Sequence, residues 1–127
     1  MKNTIESVIN TYEKALNGND INTILSLYGS NPIFMPQHSK ALEGRDAIRA
    51  GYAHVFSVIK LNIAFTIHDV EVIGDTAWAR TSSAGKTLVL APGITVSESN
   101  NELFIFRKEK GEWLIHQYLF STTEPKG

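Results

Sequence analysis

Glu102 is the residue in the sequence best suited to proton-transfer chemistry. It alternates with Phe104 and Phe106 in a segment whose period of two predicts a strand, so its carboxyl group is expected to face an apolar interior. Burial disfavours the charged form of a carboxyl group and raises its pKa, which would leave Glu102 neutral and able to donate a hydrogen bond. The alternative is that Glu102 lies in water at the open end of the strand, or pairs with Arg80 or Arg107.

Two further side chains could share this chemistry with Glu102. Tyr12 lies on an apolar helical stripe, where its hydroxyl could donate to a ligand oxygen or be satisfied locally while the ring packs in the core. His116 alternates with Tyr118 and Phe120, so it is a candidate acid or base, with a structural role as the alternative. A Glu102–His116 pair would form a proton-handling dyad if the strand register brings the two side chains together.

The other histidines and the missing motifs limit cofactor chemistry. His38 lies in a polar loop that could line the mouth of a pocket, His54 is expected on the outer side of a helix, and His68 at an irregularity in a strand. None of these has the spacing of a metal-ligand pair, and no GxGxxG or P-loop motif occurs. Cysteine is absent, which excludes disulfides, thiolate nucleophiles and cysteine metal sites. We therefore expect no metal and no cofactor.

The composition limits the class of partner. The 127 residues include 12 Lys and Arg against 13 Asp and Glu, which gives a net charge of −1 and argues against nucleic-acid binding. No apolar run approaches the roughly 20 residues that cross a bilayer. The first residues lack the apolar core of a signal peptide. We expect a single cytoplasmic domain over residues 1–127, with neither a nucleic acid nor a membrane as partner.

Helices are predicted in the first half of the chain. Apolar residues at spacings of three and four predict one helix that ends at Gly18, in a left-handed cap, and a second that Asp20 caps. A short strand between Pro32 and Pro36 is expected to lie at a sheet edge or to be broken there, because proline cannot donate to a ladder. A third helix begins at Gly44-Arg45-Asp46.

Strands are predicted in the second half of the chain, where the period changes to two. A phase shift predicts a bulge at His68-Asp69, and Gly74-Asp75 predicts a tight hairpin turn. Helices followed by strands indicate an α+β fold, here a cone-shaped, curved antiparallel sheet packed against three N-terminal helices. Four or five strands are predicted, among them Leu61–Val72, Thr76–Lys86, Glu102–Arg107 and Trp113–Phe120. Ala91-Pro92-Gly93 is expected in a loop or a hairpin between Leu88–Leu90 and Ile94–Val96.

The last two strands are apolar on both faces, which predicts a partner. Leu103 and Ile105 point away from the face that carries Glu102. One face must pack against the helices, and the other would be an exposed apolar patch. A second copy of the chain is the economical cover, so the sequence predicts a symmetric homodimer through the sheet face.

Four motifs recur in the order and spacing of a known superfamily. They are Tyr12-Glu13-Lys14-Ala15-Leu16-Asn17-Gly18-Asn19-Asp20, Gly44-Arg45-Asp46-Ala47-Ile48, Gly74-Asp75-Thr76-Ala77-Trp78 and Gly111-Glu112-Trp113-Leu114-Ile115. The chain resembles the SnoaL-like and ketosteroid-isomerase-like superfamily, also called nuclear-transport-factor-two-like. Two further segments are most similar to its group named for SgcJ and EcaC: Asn101-Glu102-Leu103-Phe104 and Gln117-Tyr118-Leu119-Phe120. The resemblance implies a cystatin-like cone, a dimer and an internal pocket.

The resemblance also implies roles for single residues. Isomerases of the superfamily use a carboxylate that moves the proton, and a tyrosine with a neutral carboxylic acid that stabilise the oxyanion. Tyr12 falls at the tyrosine position and Glu102 at or near the position of the neutral acid. The proton-moving carboxylate falls near Pro36, where the sequence has none. Thr81 and Ser83 fall on the inward side of their strand, where small side chains leave room for a ligand.

Aromatic side chains are expected to form the wall of the same interior, either as a ligand-binding surface or as core filling. They are Phe34, Tyr52, Phe56, Phe104, Tyr118 and Phe120. The expected function is binding of a small, mostly apolar molecule, with cofactor-independent isomerisation, cyclisation or dehydration by Glu102, Tyr12 or His116 if the protein is catalytic. The alternative is a ligand-binding or accessory dimerisation module without turnover, which the missing carboxylate near Pro36 favours.

Overall fold

The computed structural model describes residues 4–124, in which three helices accompany a six-stranded, curved and unclosed sheet. The helices are α1 (Ile5–Asn17), α2 (Ile21–Leu27) and α3 (Arg45–Val58). The strands are β1 (Tyr28–Met35), β2 (Leu42–Glu43), β3 (Ile59–Ile73), β4 (Thr76–Val89), β5 (Ile94–Glu109) and β6 (Glu112–Thr122). The predicted α+β fold, with helices before a meander of strands, is confirmed.

The first two helices begin with side-chain caps. At the start of α1, Thr4 accepts a hydrogen bond from the backbone of Ser7 at 3.0 Å, and the Ser7 hydroxyl accepts one from the backbone of Thr4 at 2.8 Å. Asp20 caps α2, as predicted. The predicted left-handed cap at Gly18 is wrong, since Gly18 has φ −94° and Asn19 takes the left-handed conformation with φ 55°. Asparagine tolerates that conformation, so the turn falls one residue later.

The short proline-flanked strand does not form the sheet edge. The strand order is β2-β1-β6-β5-β4-β3, so β1 lies between β6 and the two-residue β2. β1 pairs parallel with β6, which departs from the all-antiparallel sheet expected from the sequence. The pairing is irregular between Tyr28 and Ile33, and Pro32 falls within that irregular stretch. A proline is tolerated there because the ladder is already interrupted.

The four long strands β3 to β6 form an antiparallel meander. Gly74 closes the β3–β4 hairpin with φ 61°, a conformation that favours glycine. The register between β3 and β4 shifts between Ile67 and Asp69, which confirms the predicted bulge at His68. β5 runs without interruption from Ile94 to Glu109, so it joins two segments that the sequence pattern separates.

The core lies between the inner face of the sheet and the helices. Its members are buried apolar side chains from α1, α2, α3 and all the long strands. Phe104 and Phe106 on β5 are fully buried, whereas Leu103 and Ile105 on the opposite face are half-buried. Leu119, also on the outer face, is 37% exposed. Within residues 4–124 no helix combines the length and apolarity that a membrane span needs.

Candidate functional site

A cavity of about 170 Å³ lies between α1, α3 and the inner face of the sheet. Its wall is mostly apolar, and the strands β4 and β5 supply a cluster of polar groups along one side. The lining residues are Tyr12, Leu16, Phe34, Pro36, Gln37, Tyr52, Val55, Ile59, Leu61, Ile63, Phe65, Ser83, Glu98, Asn100, Glu102, Tyr118 and Phe120. A concave apolar site with a few convergent polar groups is the usual form of a small-molecule site.

Glu102 places a buried carboxyl group on this cavity, as its alternation predicts. Its side chain is 4% exposed. Thr81, directly opposite on β4, donates to Oε1 at 2.6 Å, and the Ser83 hydroxyl donates to Oε2. The predicted alternative of a pair with Arg80 is wrong, because Arg80 binds Asp69 at 2.7 Å.

The surroundings of Glu102 favour its neutral form. Burial raises the pKa of this carboxyl group, the hydrogen bonds from Ser83 and Thr81 lower it in part, and the charge of Glu98 raises it again. The net shift is upward from the ordinary value of 4.5. A neutral carboxyl group in an apolar cavity can donate a hydrogen bond to a ligand oxygen.

Glu98 and Asn100 extend the polar cluster and were missed by the sequence reasoning. The Asn100 amide nitrogen donates to Glu98 at 2.9 Å and to the Ser83 hydroxyl at 3.3 Å. Thr87 donates to the other carboxylate oxygen of Glu98 at 2.9 Å. Glu98 and Asn100 have the same parity as Glu102 along β5. Extending the alternation of Glu102 backwards along the strand would therefore have identified them.

Tyrosine hydroxyls form a second polar group at the cavity. The Tyr12 hydroxyl lies 2.6 Å from that of Tyr52, which in turn lies 2.8 Å from that of Tyr28. The Tyr118 ring packs edge-to-face on the Tyr12 ring at 5.3 Å between centroids. Burial raises the pKa of all four phenols, so they stay protonated. Each phenol supplies one proton, and a chain of protonated hydroxyls can orient one donor toward a ligand.

The predicted aromatic wall is present only in part. Phe34, Tyr52, Tyr118 and Phe120 line the cavity. Phe104 lies behind the wall, where its ring stacks on Tyr118 at 4.2 Å between centroids. Phe56 and Thr81 were also predicted to line the interior, and both lie outside the cavity lining.

Phe56 and Thr81 each contact a residue that lines the cavity. The Phe56 ring is half-buried and packs against Tyr52 at 6.2 Å between centroids. Thr81 is buried and acts on the site through its hydrogen bond to Glu102. Of the two predicted small residues, therefore, Ser83 lines the cavity and Thr81 supports a residue that does.

The prediction that His116 shares the inward face of Tyr118 is wrong. β6 contains a bulge, because Gln117 pairs with Ile105 while Ile115 pairs with Phe106. His116 is the extra residue at that bulge and is half-buried away from the cavity lining. Desolvation lowers its pKa, and Arg107 lowers it further.

The proposed Glu102–His116 dyad does not form, for the same reason. Glu102 stands opposite Phe120 in the β5–β6 register, four positions along the strand from His116. His38 is likewise outside the cavity lining, in an exposed loop position with φ 59°. Its neighbours Pro36 and Gln37 line the cavity instead, and the Gln37 side chain accepts a hydrogen bond from the backbone of Thr122 at 2.5 Å.

The charge of the cavity lining is one-sided. Among residues 4–124 no group of three or more His, Asp or Glu side chains is placed to hold a metal ion. Among the described residues that line the cavity, none is Lys, Arg or His. The lining therefore carries two carboxyl groups, Glu98 and Glu102, and only neutral groups besides.

Comparisons with known proteins agree with this fold. The family model of the SnoaL-like domain matches residues 8–116. A ketosteroid isomerase-like protein from Erwinia carotovora atroseptica is 28% identical and superposes with a TM-score of 0.91, with 95% of each chain covered. No curated protein matches the sequence.

Two more distant structures share the fold. A proposed dehydratase of the NTF2-like family from Streptomyces avermitilis is 18% identical, with a TM-score of 0.82 and 95% of each chain covered. A domain with a cystatin-like fold from Nostoc punctiforme is 16% identical, with a TM-score of 0.76, 95% of this chain covered and 76% of that one. At these identities the likeness shows the fold alone.

Proposed function

The chain belongs to the SnoaL-like domain family, and we propose that it binds a small, mostly apolar molecule in the cavity and moves a proton on it without a cofactor. The observation that carries the proposal is the buried carboxyl group of Glu102, which stands in a mostly apolar cavity with its pKa raised. Perturbed carboxyl groups in clefts mark functional sites because burying one is costly.

The proposed chemistry stabilises negative charge on a ligand oxygen. A carbonyl oxygen gains charge when a proton leaves the neighbouring carbon, and fixed donors in a dry site stabilise that charge strongly. Neutral Glu102 is one donor, and Tyr12, whose hydroxyl belongs to a residue lining the same cavity, is the second. Tyr52 and Tyr28 hold the Tyr12 hydroxyl in place through two hydrogen bonds.

The reaction class follows from that intermediate. Isomerisation, cyclisation and dehydration of carbonyl compounds can each pass through an enol or enolate, which these donors would stabilise. Relatives described as isomerase-like and as a dehydratase support the class without specifying the reaction here. Membership of the SgcJ and EcaC group and a cytoplasmic location stay predictions of the sequence.

We further propose that the protein is a homodimer through the outer face of the sheet. Leu103 and Ile105 are half-buried in a single chain, and Leu119 is 37% exposed beside them. An apolar face of this kind favours association with a second copy, which would contact the same surface by symmetry.

One observation favours a second function. The resemblance places the proton-moving carboxylate near Pro36, which lines the cavity without an acid group. A site with oxyanion donors and no base would bind a ligand without turnover. A ligand-binding or accessory module is therefore the alternative.

Binding of 4-nitrophenol tests the proposal, because its phenolate resembles an enolate and absorbs visible light. At a pH where the free phenol is mostly protonated, the wild-type protein should raise the phenolate absorbance of bound ligand. Glu102→Gln should reduce that absorbance, and Glu112→Gln, the same change at the exposed first residue of β6, should not. Bound phenol that stays protonated in the wild type would contradict oxyanion stabilisation and favour the binding module.

A further inference from the structure

Glu98 is a carboxyl group in the cavity to which the chemistry above gives no role. It is half-buried, lines the cavity and lies four residues before Glu102 on the same face of β5. Both of its oxygens accept hydrogen bonds at 2.9 Å, from the Thr87 hydroxyl and from the Asn100 amide. These two hydrogen bonds hold the Glu98 carboxyl group in place at the cavity wall.

The position of Glu98 relative to Glu102 suits proton transfer. The two carboxyl groups are linked by three consecutive hydrogen bonds, through the Asn100 amide and the Ser83 hydroxyl. Consider a carbonyl compound whose oxygen accepts a hydrogen bond from Glu102. Its α-carbon spans part of the separation between the Glu98 and Glu102 carboxyl groups. Glu98 is the other carboxyl group of the lining, so it is the group that could take the α-proton of such a compound.

Asn100 indicates what else the ligand carries. Its Oδ1 atom is buried and has no hydrogen-bond partner within residues 4–124, while its amide nitrogen is fully used by Glu98 and Ser83. A buried acceptor without a partner is costly, and a donor on the ligand would remove that cost. Asn100 lines the cavity, so a hydroxyl or N–H near the reacting carbon is the group that fits.

The charge of the lining selects against acids. Because no Lys, Arg or His is among the described lining residues, an anionic ligand would find no cationic side chain to pair with. The ligand class is therefore a neutral, mostly apolar ketone that bears a hydrogen-bond donor.

We propose that the Glu98 carboxylate is the proton acceptor of this site, in place of the carboxylate that is missing near Pro36. The inference rests on the proposed proton-transfer function. In the step, the Cα–H bond of the ketone breaks and its proton moves to Glu98. The electron pair of that bond forms the C=C bond of the enolate, and the carbonyl pair moves to the oxygen that Glu102 and Tyr12 stabilise. Return of the proton from Glu98 to carbon completes isomerisation or exchange.

Exchange of the α-protons of α-hydroxyacetophenone in D2O measures this step directly. The probe is a neutral aromatic ketone with a hydroxyl group on its α-carbon, and proton NMR follows both the loss of its α-proton signals and its binding to the protein. Wild-type protein should accelerate exchange above the buffer rate. Glu98→Gln should slow the protein-catalysed rate by about 100-fold or more, with an unchanged dissociation constant. Glu112→Gln is the matched control and should exchange like the wild type.

The outcomes separate the two proposals. If Glu98→Gln exchanges at the wild-type rate while Glu102→Gln is slow, Glu98 is not the acceptor and the proposed function stands. If the wild type binds the ketone and exchange stays at the buffer rate, both proposals fail and the binding module replaces them. If the wild type does not bind the ketone, the ligand class is wrong.

Glu98→Asp provides a second test if Glu98→Gln does not fold. Glu98→Asp keeps the charge and withdraws the carboxylate by one methylene, which should reduce the exchange rate while leaving the dissociation constant unchanged. An undiminished rate in Glu98→Asp would overturn the assignment, because a positioned base is sensitive to such a displacement.

Discussion

The inner face of β5 has two halves that differ although they belong to one strand and one alternation. Phe104 and Phe106 fill the core, with Phe104 stacked on Tyr118 at 4.2 Å and on Phe106 at 5.8 Å between centroids. Glu98, Asn100 and Glu102 line a cavity instead. The alternation therefore decides which side chains face inward, while their neighbours decide whether the space is filled.

The neighbouring strand explains the difference. On β4, Ala79 pairs with Phe104 and Ala77 with Phe106, so small side chains leave room for the two rings. Further along, Thr81 pairs with Glu102 and Ser83 with Asn100, so hydroxyl groups stand opposite the polar side chains. Cross-strand partners thus match size in one half and hydrogen bonding in the other. The side chains of β4 therefore set the boundary between the core and the candidate site.

The largest effect is expected in the core half. Phe104→Ala removes a fully buried ring that contacts four other rings, and should lower the free energy of unfolding by about 3–5 kcal/mol. Phe120→Ala, at the half-buried cavity wall, should cost about 1 kcal/mol because the space is already open there. Urea denaturation measures both variants. Equal losses would mean that the two halves are packed alike.

A smaller effect is expected at Glu102, as a dependence on pH. Its folded pKa is raised, so its stabilising contribution is complete below the ordinary value of 4.5 and is lost as pH rises through the folded pKa. Glu102→Gln has no group that titrates at this position, so it does not show this loss of stability as pH rises. Its free energy of unfolding relative to the wild type should therefore rise with pH, by about 1.4 kcal/mol per pH unit between the ordinary and the folded pKa. Urea denaturation over a series of pH values measures the difference.

The control for that measurement is Glu112→Gln, at the exposed first residue of β6. It should follow the wild-type stability profile over the same pH range. Parallel profiles of Glu102→Gln and the wild type would show that folding does not raise the pKa of Glu102, and would remove the contrast between the two halves.

The smallest effect on folding is expected on the outer face of β5. Leu103→Lys should change the stability of the single chain by no more than about 0.5 kcal/mol, because the side chain is half-buried. It should nevertheless give monomers or aggregates in sedimentation experiments if the sheet face is the dimer interface. Val72→Lys, at a position 53% exposed on β3, is the control. A mass that Leu103→Lys leaves unchanged would rule out this interface.

Sequence periodicity predicted most elements, and its failures have local causes. The change of period after Lys60 and the bulge at His68 were both found, because apolar and polar residues alternate strongly there. Residues 97–101 are mostly polar, so the pattern predicted a break between two strands, whereas these residues lie in the middle of β5. For this reason the sequence analysis did not identify Glu98 and Asn100 as site residues.

The sequence predicted only part of the candidate site, and here too the failures have local causes. Glu102 was found because the apolar residues that follow it on the strand define its parity. His116 was misplaced because a bulge in β6 reverses the alternation between Ile115 and Tyr118, and the sequence around it carries no turn residue that would reveal the bulge. The tyrosine cluster joins Tyr12, Tyr28 and Tyr52 across separations of 24 and 40 residues, which periodicity does not relate.

Hydrophobic periodicity acts within one element, and it was enough to establish the α+β class, the order of helices and strands, and the inward direction of Glu102. Packing between distant segments established the rest. It pairs β1 in parallel with β6, brings three tyrosine hydroxyls together, and gives Glu98, Asn100 and Glu102 their hydroxyl partners from β4. These arrangements depend on strand register, which is fixed when the elements pack against one another, and no single segment contains that information.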